Sequence, residues 1–424
     1  MGALVTPTDC SCNDYSNSRR SFLRNALAVT GGAVATVAFG ETFRQTAYGA
    51  VNGNVLVVLS LRGGADGLSV VVPHGDPAYY PARPRIAIPK DSLLMRDDLF
   101  GLHPGLQPLA GMWTAGKMTA IHATGLPQPN RSHFSAVEEI EDADLGSALR
   151  TGWINRLIGL DSDRSPLEGV TVGSGLLPTS MYGPEPTLAA ERTEDIQLFG
   201  AQEPVAQERR RQALTQLWAD AQGPLGVGAR SSLETTATLG PALGQAYVPA
   251  NGANYPVSDL GRALKDTARL IKAQVGVEAV TLDYGSWDMH SQLGTLASTG
   301  AASMQGMVSN MGNALAAFFT DLGATGDRVT LVTLTEFGRR VVENGASGLD
   351  HGWGNATLLM GAGVKGGRYY GKWPGLSDNT TVDGDVAVTT DYRSILSEIL
   401  VSRFGASIST VFPNFQPQVL GIMA

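Results

Sequence analysis

Three apolar, β-branched runs stand out along the chain: Val55 to Leu59, Val277 to Leu282, and Val329 to Leu334. Runs of this length without alternation predict strands buried on both faces of a parallel sheet. Lys117–Ala123, Leu167–Val172 and Thr357–Met360 add shorter candidate strands. Elsewhere the period is helical. Leu260, Leu264, Ile271 and Val275 form one stripe, and Met304, Met307, Met311, Leu315, Phe318 and Leu322 another, each just ahead of a strand. Ser135–Ile140 and Tyr392–Phe404 read as further helices. Helices feeding strands at this rhythm predict right-handed βαβ units, hence an α/β chain with a three-layer, doubly wound, mostly parallel sheet. The Met-rich stripe is assigned to core packing.

Each long run ends at a carboxylate: the first at Arg62-Gly63-Gly64-Ala65-Asp66, the second at Asp283 and then Trp287-Asp288-Met289-His290, the third at Thr335-Glu336. Ligands of open α/β sheets gather at the carboxyl ends of strands. Acids from distant segments therefore meet at one edge, with His290 and His351 beside them. Clustered anions repel unless a cation sits among them. The pattern predicts a divalent metal site built from Asp66, Asp288, His290, Glu336 and His351. Oxygen and nitrogen donors of this kind suit one or two ions of Zn, Mn, Mg or Ca. Residues two apart in an extended segment project from one side, so Asp288 and His290 can grip the same ion. Each member also has a plainer reading: a turn aspartate at Asp66, a helix cap at Asp288, an ion pair of Glu336 with Arg339 or Arg340, and turn chemistry for His351 between Asp350 and Gly352.

Ser132, in Asn130-Arg131-Ser132-His133-Phe134-Ser135, falls after a strand and just before a helix, where a helix N-terminus offers N–H groups to an anion. It is either an N-cap or a nucleophile, with Arg131 placed to bind a substrate oxyanion. Gly361-Ala362-Gly363-Val364-Lys365-Gly366 has a dinucleotide-loop shape but no helical run after it, and reads as a plain loop. His74, His103 and His122 are assigned structural roles.

Residues 177–256 change character, with a polar, Arg-rich helix at Glu203–Gln222 and a Gly-, Ala-, Thr- and Pro-rich stretch after it. This reads as an irregular insertion, either lid-like or a surface excursion without a role.

Ser18-Arg19-Arg20-Ser21-Phe22-Leu23-Arg24, followed by a weakly apolar Ala26–Gly40 stretch, is a twin-arginine export signal, with cleavage expected after Gly49. The stretch is too short and too polar for a stable span, so residues 50–424 are expected to form a soluble periplasmic or extracellular domain, delivered folded by the twin-arginine machinery. Both cysteines, Cys10 and Cys12, lie in that segment, which excludes disulfides, thiolate ligands and cysteine nucleophiles from the mature chain. The full chain carries 31 basic and 39 acidic residues, net −8. An acidic surface of this kind argues against nucleic acid as a partner.

In order, Asp66, Ser132, Asp288 with His290, Glu336 and His351 resemble the metal and nucleophile positions of the alkaline-phosphatase superfamily, which includes sulfatases and phosphodiesterases. From Leu61-Arg62-Gly63-Gly64-Ala65-Asp66-Gly67 through Arg131-Ser132-His133-Phe134 to Asp350-His351-Gly352, the chain more closely resembles the twin-arginine exported bacterial family called domain of unknown function 1501. The resemblance implies a phosphatase-like fold and a metal-dependent hydrolase of phosphate or sulfate esters, on small-molecule or glycan substrates. Two features depart from the superfamily pattern: Phe337 stands where a second histidine ligand is usual, so that either His133 or Asp350 compensates or a single ion binds, and Asp288 and His290 are closely spaced. The alternative is a non-catalytic surface binding or assembly protein that retains the fold.

Overall fold

The computed structural model describes residues 53–147, 150–160, 165–198, 200 and 203–424; the segment expected to be an export signal lies outside them. The strands in chain order are β1 (Val55–Leu61), β2 (Val71–Val72), β3 (Gly101–Leu102), β4 (Met118–Gly125), β5 (Gly169–Val172), β6 (Leu188–Ala190), β7 (Ala279–Tyr284), β8 (Val329–Leu334), β9 (Asn355–Gly361), β10 (Tyr369–Tyr370) and β11 (Thr390–Asp391). The longer helices are α1 (His133–Asp142), α2 (Trp153–Ile158), α3 (Pro204–Trp218), α4 (Gly223–Leu243), α5 (Asp259–Lys272), α6 (Met304–Leu322) and α7 (Tyr392–Phe404).

The main sheet runs β10-β4-β9-β8-β1-β7-β5-β6, with β11 also on β4, and a short β2-β3 ribbon stands apart. The central strand β1 pairs in parallel with β7 and β8, and Ser60 sits level with both Asp283 and Leu334. The three carboxyl ends are therefore in register. The exception to parallel order is β9, antiparallel to both β4 and β8. It follows that β4 runs with β8, and that β9 starts where they end. The loop after β4, carrying Arg131 to His133, and the loop before β9, carrying His351, arrive at the edge that already holds the ends of β1, β7 and β8.

Alternate β1 side chains enter opposite cores, as strand geometry requires. Val55, Val57 and Leu59 pack with Leu264 and Ile271 of α5 and Met307 and Met311 of α6. Leu56 and Val58 pack with Trp153 of α2 and Ile395 and Leu396 of α7. Both faces are covered, giving three layers. Ser258 and Ser303 cap α5 and α6 by accepting from the amides of Gly261 and Gly306, each cap contributing about 1 kcal/mol.

The stretch after Gln222, expected to be irregular, forms the 21-residue helix α4. Its Gly, Ala and Thr content hides the helix from periodicity, yet Leu239 and Thr235 are fully buried. In α3, by contrast, no residue is buried. The chain returns to the body at Asp321, whose carboxylate accepts from Tyr247 Oη (2.8 Å), Tyr255 Oη (2.9 Å) and the Ala250 amide (2.7 Å), and pairs with Lys272 Nζ (2.8 Å). No described helix is long and apolar enough to cross a membrane.

Candidate metal centre

Two glycines let the loops of the sheet edge close on one another. Gly63, just past β1, has φ +105°, and a Cβ there would lie 2.7 Å from the Asp288 amide nitrogen. A Cβ on Gly348 would lie 2.2 Å from the His290 carbonyl. Asp288 and His290 are thus pressed between the β1 loop and the turn before His351.

At this junction three imidazoles face one carboxylate. His290 Nε2 lies 3.0 Å and His351 Nε2 3.2 Å from Asp288 Oδ1, and His133 Nε2 lies 3.5 Å from Asp288 Oδ2. The two ring nitrogens of His290 and His351 are only 3.0 Å apart. One ligand atom each from His133, Asp288 and His351 falls within 4.8 Å of the others. Every ring is anchored from behind through Nδ1: His133 on Glu336 Oε1 at 2.8 Å, His290 on Asp350 Oδ1 at 3.2 Å, and His351 on the Arg131 carbonyl at 2.9 Å. A second-layer acceptor at Nδ1 fixes the tautomer and leaves the Nε2 lone pair for a metal. His133 Nε2 is buried and has no hydrogen-bond partner. The donors of His133, Asp288 and His351 fit a divalent ion, with His290 Nε2 beside them.

Charge agrees with the geometry. Burial opposes ionisation of Asp288, but His133, His290, His351 and Arg339 outweigh it and hold the carboxyl far below its usual range. Burial would lower the His133 pKa, yet the carboxylates of Asp288 and Glu336 raise it to about 9. The bond to Asp288 likewise raises His290. A bound cation would compete with the protons of His133 and His290.

The structure brings Asp288, His290 and His351 together and leaves two expected ligands outside. Asp66 lies in a buried ion pair: Arg83 holds Oδ2 at 2.5 Å and Oδ1 at 3.0 Å, and Ser69 donates to Oδ2. Glu336 lies behind His133, its Oε1 taking His133 Nδ1 and the Gly63 amide, both at 2.8 Å. His133 joins Asp288 and His351 in the group whose ligand atoms could hold an ion, the place the sequence offered to either His133 or Asp350. Arg131 is held by Asp385, with Nε (2.9 Å) and Nη2 (2.5 Å) both bonding Asp385 Oδ2. Ser132 is exposed and takes the N-cap position of α1 without a side-chain cap bond. Arg339, fully buried, donates to Asp288 Oδ1 at 2.7 Å and to the carbonyls of Gly64 and Leu349. Trp287 is core, and Trp353 donates to the Leu126 carbonyl.

Residues 54–400, which contain the whole site, match the family described as "Protein of unknown function (DUF1501)". The chain is a member of the DUF1501 family. No curated protein matches it. Among solved structures, this DUF1501 chain is similar to the lipoteichoic acid synthase LtaP from Listeria monocytogenes, at 9% identity over 80% of this chain and 73% of that one, TM-score 0.34. It is similar to the C-terminal periplasmic domain of EcEptC from Escherichia coli in complex with Zn, at 8% identity over 76% of each chain, TM-score 0.31. It is similar to the alkaline phosphatase of the Antarctic bacterium TAB5, at 9% identity over 75% of this chain and 95% of that one, TM-score 0.29. At such values the likeness lends nothing to the site of the DUF1501 chain, which stands on its own side chains.

Proposed function

We propose that this DUF1501 chain is an exported, metal-dependent hydrolase of phosphate or sulfate esters, with His133, Asp288, His290 and His351 holding the ion. What carries the reading is the convergence of three Nδ1-anchored imidazoles on Asp288. Three nitrogens and one carboxylate suit zinc better than magnesium or calcium, which prefer oxygen. A bound divalent ion would act as a Lewis acid on an ester oxygen.

The protein's own groups supply the rest. Ser132 precedes His133 directly and is exposed, so a substrate reaches its hydroxyl. Attack forms a bond from Ser132 Oγ to phosphorus or sulfur as the ester bond breaks; the serine proton leaves to solvent and the departing oxygen gains one from water, and a second water then displaces Oγ, restoring the serine hydroxyl and releasing phosphate or sulfate. The first-turn amides of α1, which helix geometry leaves without intrahelical acceptors, favour negative charge at that point. Arg339 steadies Asp288 without touching substrate. The twin-arginine signature at Arg19 and Arg20 supports export.

A second reading, a non-catalytic binding protein with a structural ion, is favoured by the commitment of Arg131 to Asp385. The purified mature chain, analysed for metal and assayed on aryl phosphate monoesters, phosphodiesters and sulfates, separates the two. Turnover that is lost on chelation and restored by zinc supports the hydrolase; a tightly held ion with no turnover on any of the three classes supports the second reading.

A further inference from the structure

The anchors behind His133 and His290 are carboxylates, but the anchor behind His351 is a main-chain carbonyl, that of Arg131. A carbonyl orients an imidazole only if its own loop is held. Residues 126–132 link β4 to α1 without a strand or helix of their own. Here the Arg131 guanidinium reaches across to Asp385, Nε at 2.9 Å and Nη2 at 2.5 Å, both on Oδ2. The side chain of Asp385 is wholly buried, and its Oδ1 has no hydrogen-bond partner. A buried carboxylate satisfied on one oxygen depends on its guanidinium, since separating the two strands an uncompensated charge.

Asp385 is itself fixed. It exchanges backbone bonds with Val382, at 2.9 and 3.0 Å, and bridges to Arg340, while the Val341 amide donates to Gly384 at 3.1 Å. The residue before that bridge is Arg339, which holds Asp288. One short segment, 339–341, thus supports Asp288 directly and reaches His351 through Asp385 and Arg131.

We infer that Asp385 is a positioning residue of the ion site: it clamps Arg131 so that the Arg131 carbonyl sets the tautomer and tilt of His351. The inference rests on the metal reading above. Its competitor is an ordinary ion pair that ties two loops together and has no bearing on the ion.

The test uses the mature chain with Asp385→Asn, Arg131→Ala, Arg131→Lys and the Asp385→Asn/Arg131→Ala double variant. Co²⁺ is titrated into each while its visible absorption band and affinity are followed, with thermal unfolding in parallel. Each of the first two variants should bind Co²⁺ roughly 10- to 100-fold more weakly and show a changed band. The double variant should be no weaker than the singles, because the carboxylate acts only through the guanidinium. Arg131→Lys should recover part of the loss. Folded single variants with wild-type affinity and band overturn the inference, as does a double variant whose loss is the product of the two singles. If Asp385→Asn fails to fold, Arg131→Ala against Arg131→Lys decides on the same criteria. A wild-type chain that takes up no Co²⁺ overturns the metal reading and this inference with it; normal uptake with unaffected variants overturns the inference alone.

Discussion

His290 Nε2 and His351 Nε2 lie 3.0 Å apart, although each ring has its Nδ1 engaged by a separate acceptor. One ring donating an N–H to the other satisfies both nitrogens, and among the described residues the Asp288 carboxylate lies beside them both. A cation coordinated by both would take the place of that shared proton.

Asp288→Ala and His351→Ala should each release the ion, because each removes a donor from a four-ligand set. Metal content of the purified variants checks this. In the wild type, chelation should lower the unfolding midpoint, since an ion bound only to the folded chain at 100 times its Kd stabilises it by about 2.7 kcal/mol. In the two variants chelation should change nothing. Unaltered metal content in both would remove the site.

Ser132→Ala separates nucleophile from cap. The side chain makes no cap bond, so stability in urea should move by no more than about 0.5 kcal/mol. Turnover should fall roughly 10³-fold or more, with metal retained. Full activity in this variant would remove Ser132 from the chemistry.

Acid should selectively loosen the segment that ends the 177–256 excursion. Burial opposes ionisation of Asp321, but Lys272, the Ala250 amide, Tyr247 and Tyr255 prevail and lower its pKa. A depressed carboxyl contributes stability that is complete above the unfolded value, about 3.9, and is lost as pH falls through the lower folded value. Asp321→Asn should therefore cost about 1–3 kcal/mol at pH 7, and the gap to wild type should narrow below about pH 4. Urea unfolding at a series of pH values measures it; a gap that widens on acidification contradicts the assignment.

Export should depend on Arg19 and Arg20 as a signature and not as charge. Replacing both with Lys preserves charge, yet should leave the chain in the cytoplasm, which cell fractionation detects. Normal export of that variant would defeat the twin-arginine reading.

The sequence by itself determined the sheet and its working edge. Burial on both faces makes the bodies of β1, β7 and β8 apolar, so their positions and the carboxylates near their ends are visible without coordinates, although β7 runs two residues further than its apolar run, through Asp283 to Tyr284. The Asp288 and His290 pair was equally plain, because the spacing is local. Other features were decided only by tertiary structure. Asp66 and Glu336 look like ligands until Arg83 and His133 are placed against them, and a strand-end acid does not declare whether a cation or a guanidinium will meet it. The α4 helix lacks a stripe, and its burial depends on what the body presents to it. His133 enters the site because β9 runs antiparallel to β4 and β8, which carries the loop after β4 to the edge where β9 begins. Strand direction, set by pairing between segments more than 200 residues apart, has no local signature, and neither does the reach of Arg131 to Asp385, 254 positions away.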